Sequence, residues 1–86
     1  MFEAVEFIEV RGREEPDERV LGQFEDEMGA VKAAREAKLE FVESGAADFA
    51  WWVVRQEGAR LAQFISDSRS DKEFVLDLAT GQLVEV

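Results

Sequence analysis

Apolar and polar positions alternate along most of this chain in short runs, and one longer run switches to helical spacing. The densest run is Phe49-Ala50-Trp51-Trp52-Val53-Val54-Arg55, aromatic and β-branched, with Gly45 behind it and Gly58 ahead. That composition predicts a strand near the middle of a sheet. Successive side chains of a strand point to opposite faces, so Trp51 and Trp52 must lie on opposite sides. Phe2 to Val10 predicts the first strand. Its alternation slips: Phe2, Ala4, Ile8 and Val10 share one parity, Val5 and Phe7 hold the other, and Glu6 interrupts the first set. Either a bulge lies near Glu6 or both faces are partly buried, and the apolar residues on both parities favour the second. Arg11 to Arg19 predicts a polar loop holding Gly12, the only proline (Pro16) and four acids. Val20 to Phe24 predicts a short return strand.

The helical run follows. At 100° per residue, Ala30, Val31, Ala33, Ala34, Ala37, Phe41 and Val42 fall on one side, and Lys32, Glu36, Glu40 and Glu43 on the other. Asp26 is the expected N-cap, Glu27 complements the helix dipole, and Gly45 is the expected residue just past the end. Met28 and Leu39 fall outside the stripe, and Lys38 at its edge is expected to reach outward. A stripe made mostly of alanine lets the helix approach a sheet closely, so large sheet residues must fill the space. One of the two tryptophans supplies that volume.

A turn at Gln56-Glu57-Gly58 leads to a strand from Ala59 to Ser66. Placing Arg55 opposite Arg60 pairs Trp51 with Phe64 and Val53 with Ala62; a slip by one would set Trp51 against Gln63. The aromatic pairing favours the first register. It places Ala50, Trp52, Val54, Leu61 and Ile65 on the helix side, and Phe49, Trp51, Val53, Arg55, Arg60 and Phe64 on the far side. After a polar loop from Ser66 to Asp71, strands Glu73 to Leu78 and Leu83 to Val86 flank Ala79-Thr80-Gly81, a three-residue turn with glycine last. That turn pairs Leu76 with Val84 and Phe74 with Val86. The expected fold is α+β: a mainly antiparallel sheet in the order β-β-α-β-β-β-β, with one helix packed on one face.

Composition narrows the function. Eighty-six residues, 47% of them hydrophobic, fit one small globular domain spanning 1–86. Cysteine and histidine are absent, which removes thiolate metal sites and the commonest general base. The net charge of −10 argues against nucleic acid and against anionic membrane surfaces. No apolar run approaches the length that spans a bilayer, and the amino terminus lacks the pattern of a secretory signal, so a cytoplasmic location is expected.

Catalysis lacks its usual parts. The carboxylates cluster in loops and on the outer helix face rather than converging in a dry pocket. The serines of 66–70 have no histidine to activate them. Asp67-Ser68-Arg69-Ser70-Asp71-Lys72 resembles a calcium loop only at its ends, with arginine and lysine where a ligand and a glycine belong. Gly12, Gly22 and Gly29 are isolated, so no phosphate loop forms. The chain is therefore expected not to be an enzyme and to need no cofactor. What remains is the aromatic far face: Trp51, Val53, Arg55, Arg60 and Phe64 are the expected contact residues for a protein partner or a second copy. The competing explanations are ordinary core packing beneath another part of the chain, an acidic mimic that occupies a basic protein surface, and a small activity built on loop carboxylates.

Overall fold

The computed structural model describes residues 1–46, 48–59 and 61–86. Its elements run β1 (Phe2–Ile8), β2 (Asp17–Phe24), α1 (Glu27–Glu43), β3 (Ala50–Gln56), β4 (Ala62–Asp67), β5 (Glu73–Asp77) and β6 (Gln82–Glu85). Among the described residues the strands form one sheet, ordered β2-β1-β3-β4-β5-β6, and every neighbouring pair is antiparallel. The α+β class and element order expected from the sequence are those observed. α1 crosses from the β2 edge to the interior strand β3 and packs on β1, β2 and β3.

The helix forms where its signals lie. Asp26 is extended (φ −121°), and its Oδ1 accepts the Gly29 N–H at 2.7 Å. Gly45 turns the chain away at φ +73°, a conformation that costs an L-residue strain. Ala30, Val31, Ala34 and Ala37 are buried against Ala4, Ala50, Trp52, Val54 and Phe64. Trp52 is fully buried; its indole donates to Glu6 Oε2 at 2.9 Å, and Phe41 meets it edge-on. Glu6 itself is buried and also pairs with Arg19 at 3.1 Å, so neither the indole N–H nor the carboxylate is left unpartnered. Met28 and Leu39 are exposed, as their place outside the stripe requires. Val42 is exposed too, contrary to expectation, because near the end of the helix it overlooks open space beside the loop after β4, with Ser68, Arg69 and Asp71 around it. Lys38 does not reach into solvent: its ammonium donates to Ser66 Oγ (3.0 Å) and to the Ser70 carbonyl (2.6 Å), tying the helix to β4 and the loop after it.

Burial on both faces explains the slipped pattern of the first strand, and no bulge lies in that strand at Glu6. Ala4 and Glu6 are buried on the helix side and Glu3 and Val5 on the other. The bulge sits in β2, where Ala4 pairs with Gly22 but Val5 pairs with Val20, leaving Leu21 as the extra residue.

Two registers differ from expectation. Val54 pairs with Phe64, Val53 with Ile65 and Trp51 with Asp67, so Trp51 does not face Phe64. The shift from the expected pairing is an odd number of residues over this stretch, which sends every side chain to the opposite face. Phe64 and Ile65 therefore exchange sides: Phe64 is 1% exposed in the helix-side core, and Ile65 lies on the far face. Leu61, expected on the helix side, is exposed before β4 begins. Magnitudes explain the outcome. Burying a phenylalanine stabilises by about 2 kcal/mol, whereas one cross-strand aromatic pair contributes about 0.2–1 kcal/mol. The longer connection after Gln56 and a second bulge near Gln63 make the core-filling register reachable. The closing hairpin slips by one: Leu76 pairs with Leu83 and Phe74 with Glu85, not with Val84 and Val86. Its turn has four residues, 78–81, because Asp77 Oδ1 captures the Ala79 N–H at 2.9 Å and the Asp77 carbonyl accepts from Gly81 at 2.7 Å.

Candidate functional site: the sheet face opposite the helix

The far face is built by the alternate residues of each strand. Glu3, Val5 and Phe7 come from β1, Glu18 and Val20 from β2, and Trp51, Val53 and Arg55 from β3. Ile65 and Asp67 come from β4, Phe74 and Leu76 from β5, and Leu83 from β6. The registers join five of these into one apolar row across five strands: Val20, Val5, Val53, Ile65 and Phe74 are successive cross-strand neighbours. No second helix or sheet lies over this row among the described residues. Val5 and Val53 at its centre are nonetheless buried, sealed by the larger side chains of their own face, while Val20 at one end is 49% exposed.

Beside the row runs an aromatic ladder. Phe7 stacks on Trp51 with centroids 5.3 Å apart and planes 11° from parallel, and Phe49 packs on Trp51 at 5.6 Å. Arg69 closes the ladder, its guanidinium 4.7 Å from the Phe49 ring. On the other side of the row sit Glu3 and Arg55, and Arg55 reaches back across the row toward Glu18, the neighbour of Phe7. Arg55 Nε donates to Glu3 Oε1 at 2.7 Å, and its Nη2 lies 3.6 Å from Glu18 Oε2. Glu3 is buried by this pairing, so the face carries its cation already neutralised.

Of the contact residues expected from sequence, Trp51, Val53 and Arg55 lie together on this face. Phe64 does not; the register correction moves it into the core. Arg60 lies outside the described residues. Phe7, Val20, Ile65 and Phe74 complete the face and were not among the expected contacts. Phe7 and Val5 carried a signal, since they hold the parity of the first strand opposite to Ala4. Ile65 and Phe74 could be placed only once the registers were known.

Two open clefts lie away from the apolar row, the first beside the end of the aromatic ladder and the second on the helix side. An open cleft of about 500 Å³ lies over the loop at 9–16, lined also by Asp48, Phe49 and Arg69. A second, about 470 Å³, opens between β1, β2 and the end of α1, with Glu6, Asp17, Arg19 and Glu40 around it. Among the described residues, no group of three or more carboxylates is placed to hold a metal ion. No helix among the described residues is long and apolar enough to cross a membrane.

The helix is fastened to β5 by Arg35, which donates to both carboxylate oxygens of Glu73 at 2.9 and 2.7 Å. This double hydrogen bond holds Glu73 below the ordinary glutamate range, against partial burial that opposes it, and raises Arg35. Because the folded value of Glu73 is depressed, the pair's contribution is complete above the unfolded glutamate pKa of about 4.3 and is lost as pH falls through the lower folded value. Acidification below that range should therefore cost stability, and Arg35→Met should flatten part of that slope in urea titrations. The pair is largely exposed, so the effect should stay under about 1 kcal/mol.

Compared with protein-family models, curated proteins and solved structures, the chain matches none.

Proposed function

We propose that this chain is a protein-binding domain that docks through the sheet face opposite its helix. The observation that carries this reading is the apolar row from Val20 to Phe74, over which no helix or sheet packs among the described residues and whose Val20 end is half exposed, flanked by the Phe7–Trp51–Phe49 ladder. A contiguous apolar patch on a small soluble domain marks a contact surface more often than chance. Its composition, aromatics with two arginines and few free charges, is that of an interface centre. Trp51, partly exposed, forms the centre of the contact, buried Val53 supports it from within the face, and Arg55 is its polar margin.

The test is photo-crosslinking in cells that express the chain. A photoreactive residue in place of Val20, on the docking face, should give protein adducts. The same residue in place of Glu36, on the exposed outer side of the helix, should give few. Equal yields from the two positions, or none from position 20, would reject the reading.

A further inference from the structure

We infer that the occupant of this face is a second copy of the same chain, packed sheet against sheet about a two-fold axis; this rests on the docking reading above. Three features of the molecule favour a like copy over another partner.

The first is area. A folded monomer of 9.7 kDa exposes about 5,100 Å² on the usual scaling with mass. This chain exposes 5905 Å². The excess of roughly 800 Å² matches what one partner contributes to a standard interface, about 800 Å². A second copy supplies the missing layer without any further component.

The second is charge. The chain carries −10, but the far face holds little of it. Arg55 offsets one of Glu3 and Glu18, Lys72 lies 3.6 Å from Glu85 at the β6 end, and Asp67 is balanced by Arg69 over the Phe49 ring, which leaves about one net negative charge on the face. Glu36, Glu40 and Glu43 on α1, and Glu14 and Glu15 in the first loop, are exposed elsewhere. The face therefore lacks the concentrated negative potential that would select a basic partner, and two copies can meet there with most of their acid pointing away.

The third is shape. β3 is the middle strand of the five that carry the apolar row, and Val53 is the middle residue. A two-fold axis parallel to the strands and above Val53 lays β2 of one copy over β5 of the other, and β1 over β4. Val20 of one copy then meets Phe74 of the other at each end of the row, smaller against larger, as interdigitated sheets about 10 Å apart require, while Val5 and Val53 lie beneath the contact, already buried within each copy.

Sedimentation equilibrium of the full chain tests this. The expected species at micromolar concentration is twice the 9.7 kDa chain mass. Raising the salt should tighten the dimer several-fold, because the residual force between two copies of charge −10 is repulsive and is screened. Val20→Glu should weaken it at least about 30-fold, by setting a carboxylate against an apolar ring in each half of the interface. Val20 lies on an edge strand and is already half exposed, so the variant should keep the wild-type circular dichroism and unfolding midpoint. Trp51→Glu gives an independent second variant. A monomer at high-micromolar concentration overturns the inference, as does a dimer indifferent to both substitutions or one that loosens with salt. If the chain is monomeric yet position 20 crosslinks to a different protein, the docking reading stands and this inference alone fails.

Discussion

Trp52→Ala should destabilise the fold by about 4 kcal/mol, while the same change at the adjacent Trp51 should cost about 1 kcal/mol. Both residues are tryptophans on one strand, so composition and β-propensity are equal between them, and only the face differs. Trp52 has no solvent exposure and fills the space that the alanine stripe of α1 leaves open. Truncating it removes the largest side chain of the core and leaves a cavity that a helix held by Ala30, Ala34 and Ala37 cannot close by small shifts. It also strips the indole donor from the buried Glu6 carboxylate. Trp52→Phe separates the two losses: it keeps much of the volume, and the carboxylate, still paired with Arg19, should account for about 1–3 kcal/mol. An 86-residue domain has about 4–13 kcal/mol of stability in all, so Trp52→Ala should bring the chain near its unfolding midpoint in dilute urea. Urea titration followed by circular dichroism measures all three variants. Equal losses at positions 51 and 52 would contradict the one-sided layering.

The two faces of that strand were legible because the signal is local. Period-two alternation fixes that Trp51 and Trp52 diverge, and period-3.6 spacing fixes which side of 27–43 is buried. The caps at Asp26 and Gly45 carry their own chemistry and fall where it places them. Register was not legible in the same way. It depends on where a turn ends and on bulges, and neither leaves a strong mark in the sequence. Gln56-Glu57-Gly58 does turn, with Ala59 donating to the Gln56 carbonyl at 2.9 Å, but the strand resumes only at Ala62. The residues between decide which of Phe64 and Ile65 enters the core. Cross-strand pairing suggested Phe64 outside; the need to fill volume beside Trp52 and Val54 put it inside. At the closing hairpin one aspartate side chain bonded to the Ala79 N–H lengthens the turn by a residue and moves Leu83 opposite Leu76. The far face was therefore readable at Trp51, Val53 and Arg55, and not at the margins that β4 and β5 contribute.

Ala34→Leu should cost about 2–3 kcal/mol, the range found when extra methylenes are forced into a packed core. Ala34 is 1% exposed in the cluster that holds Trp52 and Val54. Leucine is as good a helix former as most residues, so a loss cannot be attributed to propensity. The change tests instead whether the small side chain sets the distance between helix and sheet. Glu36→Leu, on the exposed outer face, makes the same helix more apolar and should stay within about 0.5 kcal/mol. Ala34→Gly should also lose, by about 1 kcal/mol from backbone entropy, so stability should peak at alanine and fall for both the smaller and the larger residue. A helix pushed outward by the larger side chain of Ala34→Leu would loosen its ties to β1, β2 and β3 but leave the opposite face of the sheet in place. The proposed self-association, measured per folded molecule, should then be as strong as in the wild type even as the unfolding midpoint drops. Finding both lowered together would mean that the two sides of the sheet are energetically coupled, and that the far face depends on the helix that supports it from behind.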